Sequence, residues 1–495
     1  MAAKTEPMAA IGDDVVLAED DIDNGPRKCC GLFKPSVFFL GMVVLLNVFL
    51  FADQNLLAPV LTPIAREYGW LDLFENGTVQ LEPLNTSKGV IYVEKVDTPK
   101  ADLYLAGYIP LGFWIIGGIA SIFMGVLADT GNRRNLLGLV AGLGAASSLA
   151  TFFASSTFEG LLVCRVFTGI AIGGSSPLLF SLLGDLFSVK TRGKAIAWAG
   201  TAVALGSVVG QVGAGVLAGE TGENWRMAFL VTSVPALIMV GVFMATVQEP
   251  KRGRTEAALA GNSNMQSEKI SCATLLQLFK TRTILLVFLQ GIPASLPWGV
   301  LLGVFSDFLI ETKEVPRDQS GLVVFAFAGG ALFGALFGGY MADRLVNKMR
   351  FIPLVMGSTT AVGAVPMIFL VQLPPLGVMM YCLLAFPSGF IIGITGSAVK
   401  VVLVNVTSPF NRGSAFAFFT LTDDLGKGAG TFAVSALAAG MGRTPALTLA
   451  MFGWVLGALV HFAMFFSIEK DYAAVQAKMA ALGGKSGAPV TAEDV

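Results

Sequence analysis

Charge is scarce in this chain. Only 14% of its 495 residues are Asp, Glu, Lys or Arg, where a soluble domain carries about a quarter. Basic and acidic residues balance at 33 against 34, a net charge that averages over loops and by itself carries no message about partners; no nucleic-acid partner is expected. A single histidine, His461, and five cysteines without metal or redox spacing speak against a zinc centre and a disulfide framework. Phosphate-binding loops are missing too. Gly484-Lys485-Ser486 has Met479 where the first P-loop glycine belongs, and the "GAGVLA" of Gly213–Ala218 sits in an apolar run with no strand before it. No cofactor, metal or enzymatic activity is expected, and any pumping must be secondary.

What the chain has is hydrocarbon. Hydrophobic residues make up 54% of it, in unbroken blocks near or above the ~20 residues that a helix needs to cross a bilayer. Twelve such blocks lie near 36–64, 102–128, 134–156, 158–187, 192–219, 225–248, 279–310, 318–342, 351–372, 376–406, 411–439 and 444–468. Arg133/Arg134, Lys190/Arg192/Lys194, Lys251/Arg252/Arg254, Arg344/Lys348/Arg350 and Arg412 fall in alternate connections. The positive-inside rule places those connections and both termini in the cytosol. The loop of residues 65–101 then lies outside, and it carries two glycosylation sequons, at Asn76 and Asn85. Residues 1–35 form an acidic cytosolic tail without a signal peptide, so the first helix is expected to act as its own insertion signal. Cys29 and Cys30, just before that helix, read as palmitoylation sites or as free thiols. Residues 36–248 and 279–468 are expected to form two six-helix bundles, joined by a polar linker of residues 249–278 and followed by a cytosolic tail of residues 469–495.

The halves repeat one another. "GVLAD" (Gly125–Asp129) ends the second block and "GYMAD" (Gly339–Asp343) the eighth, while "RGKAIA" (Arg192–Ala197) opens the fifth and "RGSAFA" (Arg412–Ala417) the eleventh. Twelve helices in two related halves, with Gly125, Asp129, Gly131, Arg133 and Arg134 between helices two and three, resemble the major facilitator superfamily. The resemblance implies an all-α membrane fold of two pseudo-symmetric six-helix bundles and transport by alternating access. It also implies a conformational latch made of Gly125, Asp129, Arg133, Arg134, Asp185 and Arg192, repeated at Asp343 and Arg344; the competing reading is a cluster that only sets topology. Arg165, Gly169 and Gly173 match the family's helix 4 motif, with Arg165 either functional or snorkelling. Gly117, Ser121 and Gly125, then Gly206 and Gly210, then Gly330, Gly334 and Gly338 form small-residue stripes suited to close helix packing. A narrower resemblance, carried by "CRVFTGIAIGGSSPLLFSLLGDLF", "TRGKA" and "VQEPKRG", is to the Spinster-like branch. It implies an amphipathic lipid substrate such as a lysophospholipid or sphingoid phosphate. The branch's Asp-Arg pair appears here as Asp53-Gln54, and its fourth-helix Glu falls on Ile172.

Polar residues inside apolar blocks are the candidates for function. Consecutive helical residues turn by about 100° each, so Asp53, Gln54 and Asn55 cannot all face one pore. Asn47 is seven residues before Gln54, so these two are expected to line a central cavity, with Asp53 and Asn55 towards neighbouring helices. Asp53 is either a titrating carboxyl for proton coupling or interhelical glue. On helix eleven, Asp423 and Asp424 share Lys427 at i,i+4 and i,i+3 spacing, and Lys400 is a second candidate cation. The chain is therefore expected to be a monomeric secondary carrier in the plasma or endolysosomal membrane, with a lipid or small-molecule substrate and protons as coupling ion. The competing functions are a carrier of a small organic anion and a non-transporting membrane sensor on a carrier fold.

Overall fold

The computed structural model describes residues 35–73, 78–86, 89–186, 189–249, 278–345, 348–407 and 412–483. Cys29, Cys30, Asn76 and most of the linker lie outside them, as do the side chains of Asn85, Asp129, Asp185, Arg192 and Asp343. Among the described residues, twelve long helices carry the fold. They are α1 (Pro35–Gln54), α2 (Ile109–Thr130), α3 (Arg133–Ala154), α4 (Phe158–Leu186), α5 (Val189–Ala218), α6 (Arg226–Thr246), α7 (Arg282–Gly303), α8 (Arg317–Leu345), α9 (Phe351–Gln372), α10 (Val378–Asn405), α11 (Arg412–Met441) and α12 (Arg443–Met464). Lipid offers the backbone no hydrogen bonds, so a spanning segment must satisfy its own, and helices do. Eleven of the twelve are long and apolar enough to cross a membrane. The exception, α11, has 30 residues but holds Asp423, Asp424 and Lys427 in its middle, and these lower its apolarity.

Packing repeats with the sequence. In the first half α1 lies on α5, α2 on α4, and α3 on α6; in the second α7 lies on α11, α8 on α10, and α9 on α12. The halves meet along α2 with α11 and along α5 with α8, which is the same pairing read from either side. Glycines allow the tightest of these contacts. A Cβ on Gly169 or Gly173 would collide with the Phe113 or Gly117 carbonyl of α2, and one on Gly206 or Gly210 with the Val48 or Ala52 carbonyl of α1. Gly330, Gly334 and Gly338 meet the Phe386, Phe390 and Ile394 carbonyls of α10 in the same way. Gly334→Val is accordingly expected to push α8 off α10 and lower the thermal midpoint, at the cost of about 1–3 kcal/mol typical of overpacking. A wild-type midpoint in the purified variant would show that this seam has slack.

Three helices depart from the simple blocks of the sequence. α1 stops at Gln54, and the chain continues through a 3₁₀ turn, Ala58–Val60, into the short helix Leu61–Glu67. Pro59 has no N–H to extend α1, and the Asn55 amide bonds back to the Phe51 carbonyl at 2.7 Å. A π-helical turn, Asp102–Tyr108, precedes α2, where Pro110 removes a backbone donor. α7 breaks at Val304 before the short helix Phe305–Glu311. The loop between α1 and α2 also holds a feature that the sequence did not signal, an antiparallel hairpin of β1 (Leu81–Thr86) and β2 (Gly89–Glu94). It is tied down where Arg66 pairs with Glu82 at 2.6 Å. This face of the molecule is called the loop end below, and the opposite face, with Arg133 and Glu249, the basic end.

Candidate functional site

Between the halves lies a small cavity of about 40 Å³, with Gln54, Phe113, Trp114 and Arg165 from the first half and Leu302 and Gly303 from the second on its wall. Gln54 reaches it because α1 ends there. Asp53, one residue earlier, turns into the first half. Only 4% exposed, it accepts from Ser148 Oγ at 2.5 Å and pairs with Arg165 at 3.3 Å. Arg165 is itself 2% exposed, donates to Thr151 Oγ1 at 2.9 Å and lies 4.8 Å over the Phe229 ring. It is therefore a buried ion-pair partner and does not snorkel. Asn55 also turns away from the cavity, to Ser207 and Gln211 of α5. Asn47 is buried, with its amide on the Val43 carbonyl of its own helix. It belongs to the packed interior of the first half and is not on the cavity wall, because intrahelical bonding satisfies its donor.

The second half supplies the other charges. Lys427 Nζ sits 2.6 Å from Asp423 and 3.0 Å from Asp424, and 4.5 Å above the Trp114 ring of the cavity wall. Asp423 also accepts from Ser295 of α7, and Asp424 packs against Gly118 of α2. Lys400 is exposed and within electrostatic reach of Asp423 and Lys427, but it forms no ion pair, so both acids rely on Lys427. Three acids (Asp53, Asp423, Asp424) and three cations (Arg165, Lys400, Lys427) thus balance in the centre, and Lys400 is the cation among them left without a partner carboxylate.

At the loop end a polar seal joins the halves. The Arg443 guanidinium grips Asp102 with two bonds, at 2.9 and 2.6 Å, and donates to Asp307 at 2.9 Å. Thr62 donates to the other Asp307 oxygen at 2.9 Å. Arg317 donates to the Pro59 carbonyl at 3.3 Å and lies 3.6 Å from Glu311. Ser306 donates to Gln211 across the same boundary. These residues escaped the sequence reading because each is a single charge or hydroxyl near a helix end, where loops and topology usually explain it.

Glu311 keeps part of its surface open, but desolvation by the protein packed around it, and after that the neighbouring Asp307 charge, raises it to about 7 despite the opposing Arg317, Arg66 and Arg443. The sealed, folded state therefore binds more protons than the unfolded chain, and Glu311 supports it fully below its ordinary pKa. That support is lost as the pH rises through about 7. Glu311→Gln is expected to flatten the fall in thermal midpoint over this range, and an unaltered pH profile would refute the assignment.

At the basic end, Arg133 pairs with Glu249 at 2.9 Å and donates to Ser181 Oγ at 3.1 Å. The Arg134 backbone N–H donates to the other Glu249 oxygen at 2.6 Å, and its side chain to the Met244 carbonyl. The helix 2–3 turn is thus tied to the end of α6, a partner not anticipated from sequence. Gly125 faces Ala417 of α11, and Arg344 is exposed, 4.9 Å over the Tyr340 ring.

Comparison with known proteins agrees with this architecture. The chain is 30% identical over 226 residues to the 3-(3-hydroxy-phenyl)propionate transporter of Escherichia coli (strain K12), covering 45% of this chain and 51% of that protein, so the match spans about half of the relative's length. It is 23% identical over 388 residues to the sphingosine-1-phosphate transporter SPNS2 of Danio rerio, covering 72% of this chain and 76% of that one. Among solved structures, a bacterial homologue of the human lysosomal transporter Spinster, inward-facing and unoccupied, superposes with a TM-score of 0.69 at 17% identity, over 88% of this chain and 98% of that one. The family model described as Major Facilitator Superfamily matches residues 43–431. Two repeated six-helix halves, closed on each other at one end around a shared polar centre, accord with that match, and this chain is a member of the major facilitator superfamily, similar to its Spinster-like branch.

Proposed function

We propose that the protein is a secondary carrier of an amphipathic anion, a lysophospholipid or sphingoid phosphate, which it moves by alternating rocking of its halves about the central cavity. The observation that carries this reading is Lys400, an exposed cation that forms no ion pair with any described residue and lies within electrostatic reach of Asp423 and Lys427. An anionic headgroup there gives Lys400 a direct counter-charge, and the apolar and aromatic cavity wall suits an acyl chain. Likeness to SPNS2 over most of both chains supports the same substrate class. In this reading the loop end faces outside, both termini are cytosolic, and the sealed loop end corresponds to an inward-facing state. Asp129, Arg133, Arg134, Asp185, Arg192, Asp343 and Arg344 form the latch that closes the basic end in the opposite state. Asp53 and Asp423 carry the coupling proton, each in a pair that a change of access can loosen.

The test is uptake into proteoliposomes of sphingosine 1-phosphate and lysophosphatidate. Lys400→Gln is expected to raise KM about tenfold, the loss of roughly one charge-assisted contact; an unchanged KM would remove Lys400 from the site. A second reading, a small organic anion, is supported by the cavity's small volume, about 40 Å³ in this state. The substrate named for the Escherichia coli relative is of that kind. Saturable uptake of such an acid with none of either lipid would select it.

A further inference from the structure

Two polar atoms around the inter-half cavity have no partner within the protein. The side-chain carbonyl oxygen of Gln54 and the Nε of Arg165 are both buried without a hydrogen bond, and both residues line this cavity. The other nitrogens of Arg165 are committed to Asp53 and Thr151, so Nε–H is its spare donor. Elsewhere the wall is largely hydrocarbon and aromatic ring, with Phe113 and Trp114 prominent.

A buried acceptor and a buried donor that both lack partners destabilise the empty protein, and each is relieved by a complementary group. One small group that does both must accept from Arg165 and donate to Gln54 at once. A carboxylate or phosphate dianion only accepts, and an ammonium only donates; a hydroxyl does both. A methylene entering the same place would displace water without replacing its hydrogen bonds.

We infer that Gln54 and Arg165 form a subsite that reads a hydroxyl on the substrate, beside an apolar segment packed on Phe113 and Trp114. This deepens the carrier reading above and rests on it. The substrate is then a hydroxyl-bearing amphiphile: a lysolipid with its free glycerol hydroxyl qualifies, and the fully acylated or deoxygenated lipid does not.

The experiment needs no transport. Purified full-length protein is titrated with 1-oleoyl lysophosphatidate and with its analogue in which the free glycerol hydroxyl is replaced by hydrogen, and binding is followed by radioligand displacement. Wild type is expected to bind the analogue at least about tenfold more weakly, the consequence of one unmade buried hydrogen bond. Gln54→Met keeps the side chain's length, removes the acceptor and is expected to bring the two affinities together. Equal binding of both compounds to wild type overturns the subsite and leaves the carrier reading standing, as does a Gln54→Met protein that still discriminates. Failure of both compounds to bind overturns the lipid reading beneath it. The wild-type comparison decides the matter even where the variant does not fold.

Discussion

Arg443→Ala is expected to unseal the loop end. Its guanidinium holds Asp102 of one half and Asp307 of the other, and these carboxylates are 3% and 1% exposed. Removing the cation leaves two buried like charges facing each other. Deleting one partner of a buried ion pair costs about 3–5 kcal/mol, roughly two to nearly four powers of ten in the balance between sealed and open states. Burial alone does not make such a pair stabilising overall, but opening the seal lets both acids return to water, so the penalty falls on the sealed state. In a protein freed of its native cysteines, Ala58→Cys beneath the seal is expected to react with a membrane-impermeant maleimide from the loop side about a hundredfold faster once Arg443 is gone. Arg443→Lys should fall between, since a point charge cannot reproduce the two-bond grip on Asp102. Unchanged labelling of a well-folded Arg443→Ala protein would show that the halves are held together by helix packing alone.

The second large effect is expected at Asp53. Asp53→Asn strands the Arg165 charge in the first half, where Thr151 and the Phe229 ring remain its only described partners besides the Asp53 backbone carbonyl. The same penalty of about 3–5 kcal/mol applies, seen as a lower thermal midpoint and near-complete loss of gradient-driven uptake. Combining it with Arg165→Gln removes the orphaned charge, so stability should largely return while uptake does not. That non-additivity is the signature of a coupled pair. Asp423→Asn should be milder for the fold, because Lys427 keeps Asp424 at 3.0 Å. Uptake measured across pH with imposed proton gradients decides the coupling role: wild-type rate and gradient dependence in both Asn variants would leave these carboxyls as structural glue.

Much of the fold was legible because helix-forming hydrocarbon is read locally. Twelve apolar blocks appear as twelve helices, and the glycine stripes on α5 and α8 lie against α1 and α10. α1 came out shorter than its block because apolarity does not reveal where Pro59 and Asn55 stop the hydrogen-bond ladder. The hairpin of β1 and β2 was missed although Val90, Ile91, Tyr92 and Val93 favour a strand, because that run is far too short to stand out among blocks long enough to span a bilayer. At the site, Gln54 lines the cavity while Asp53 and Asn55 meet Arg165 and Ser207, a divergence that a 100° step per residue makes legible locally. The same geometry did not place Asn47, whose amide can bond within its own helix as readily as face a cavity.

By itself the sequence determined that the chain is a bilayer protein of two related bundles, with charged residues in its apolar interior. Composition, repeat and periodicity are properties of the chain before it folds, and lipid leaves few alternatives to helices. Only the tertiary structure decided which charges meet. Asp53 finds Arg165 across 112 positions, and Arg443 finds Asp102 across 341. Partners so distant are chosen by how helices pack, and that packing joins Asp53 to its cation, leaves Lys400 without a carboxylate and seals one end of the molecule.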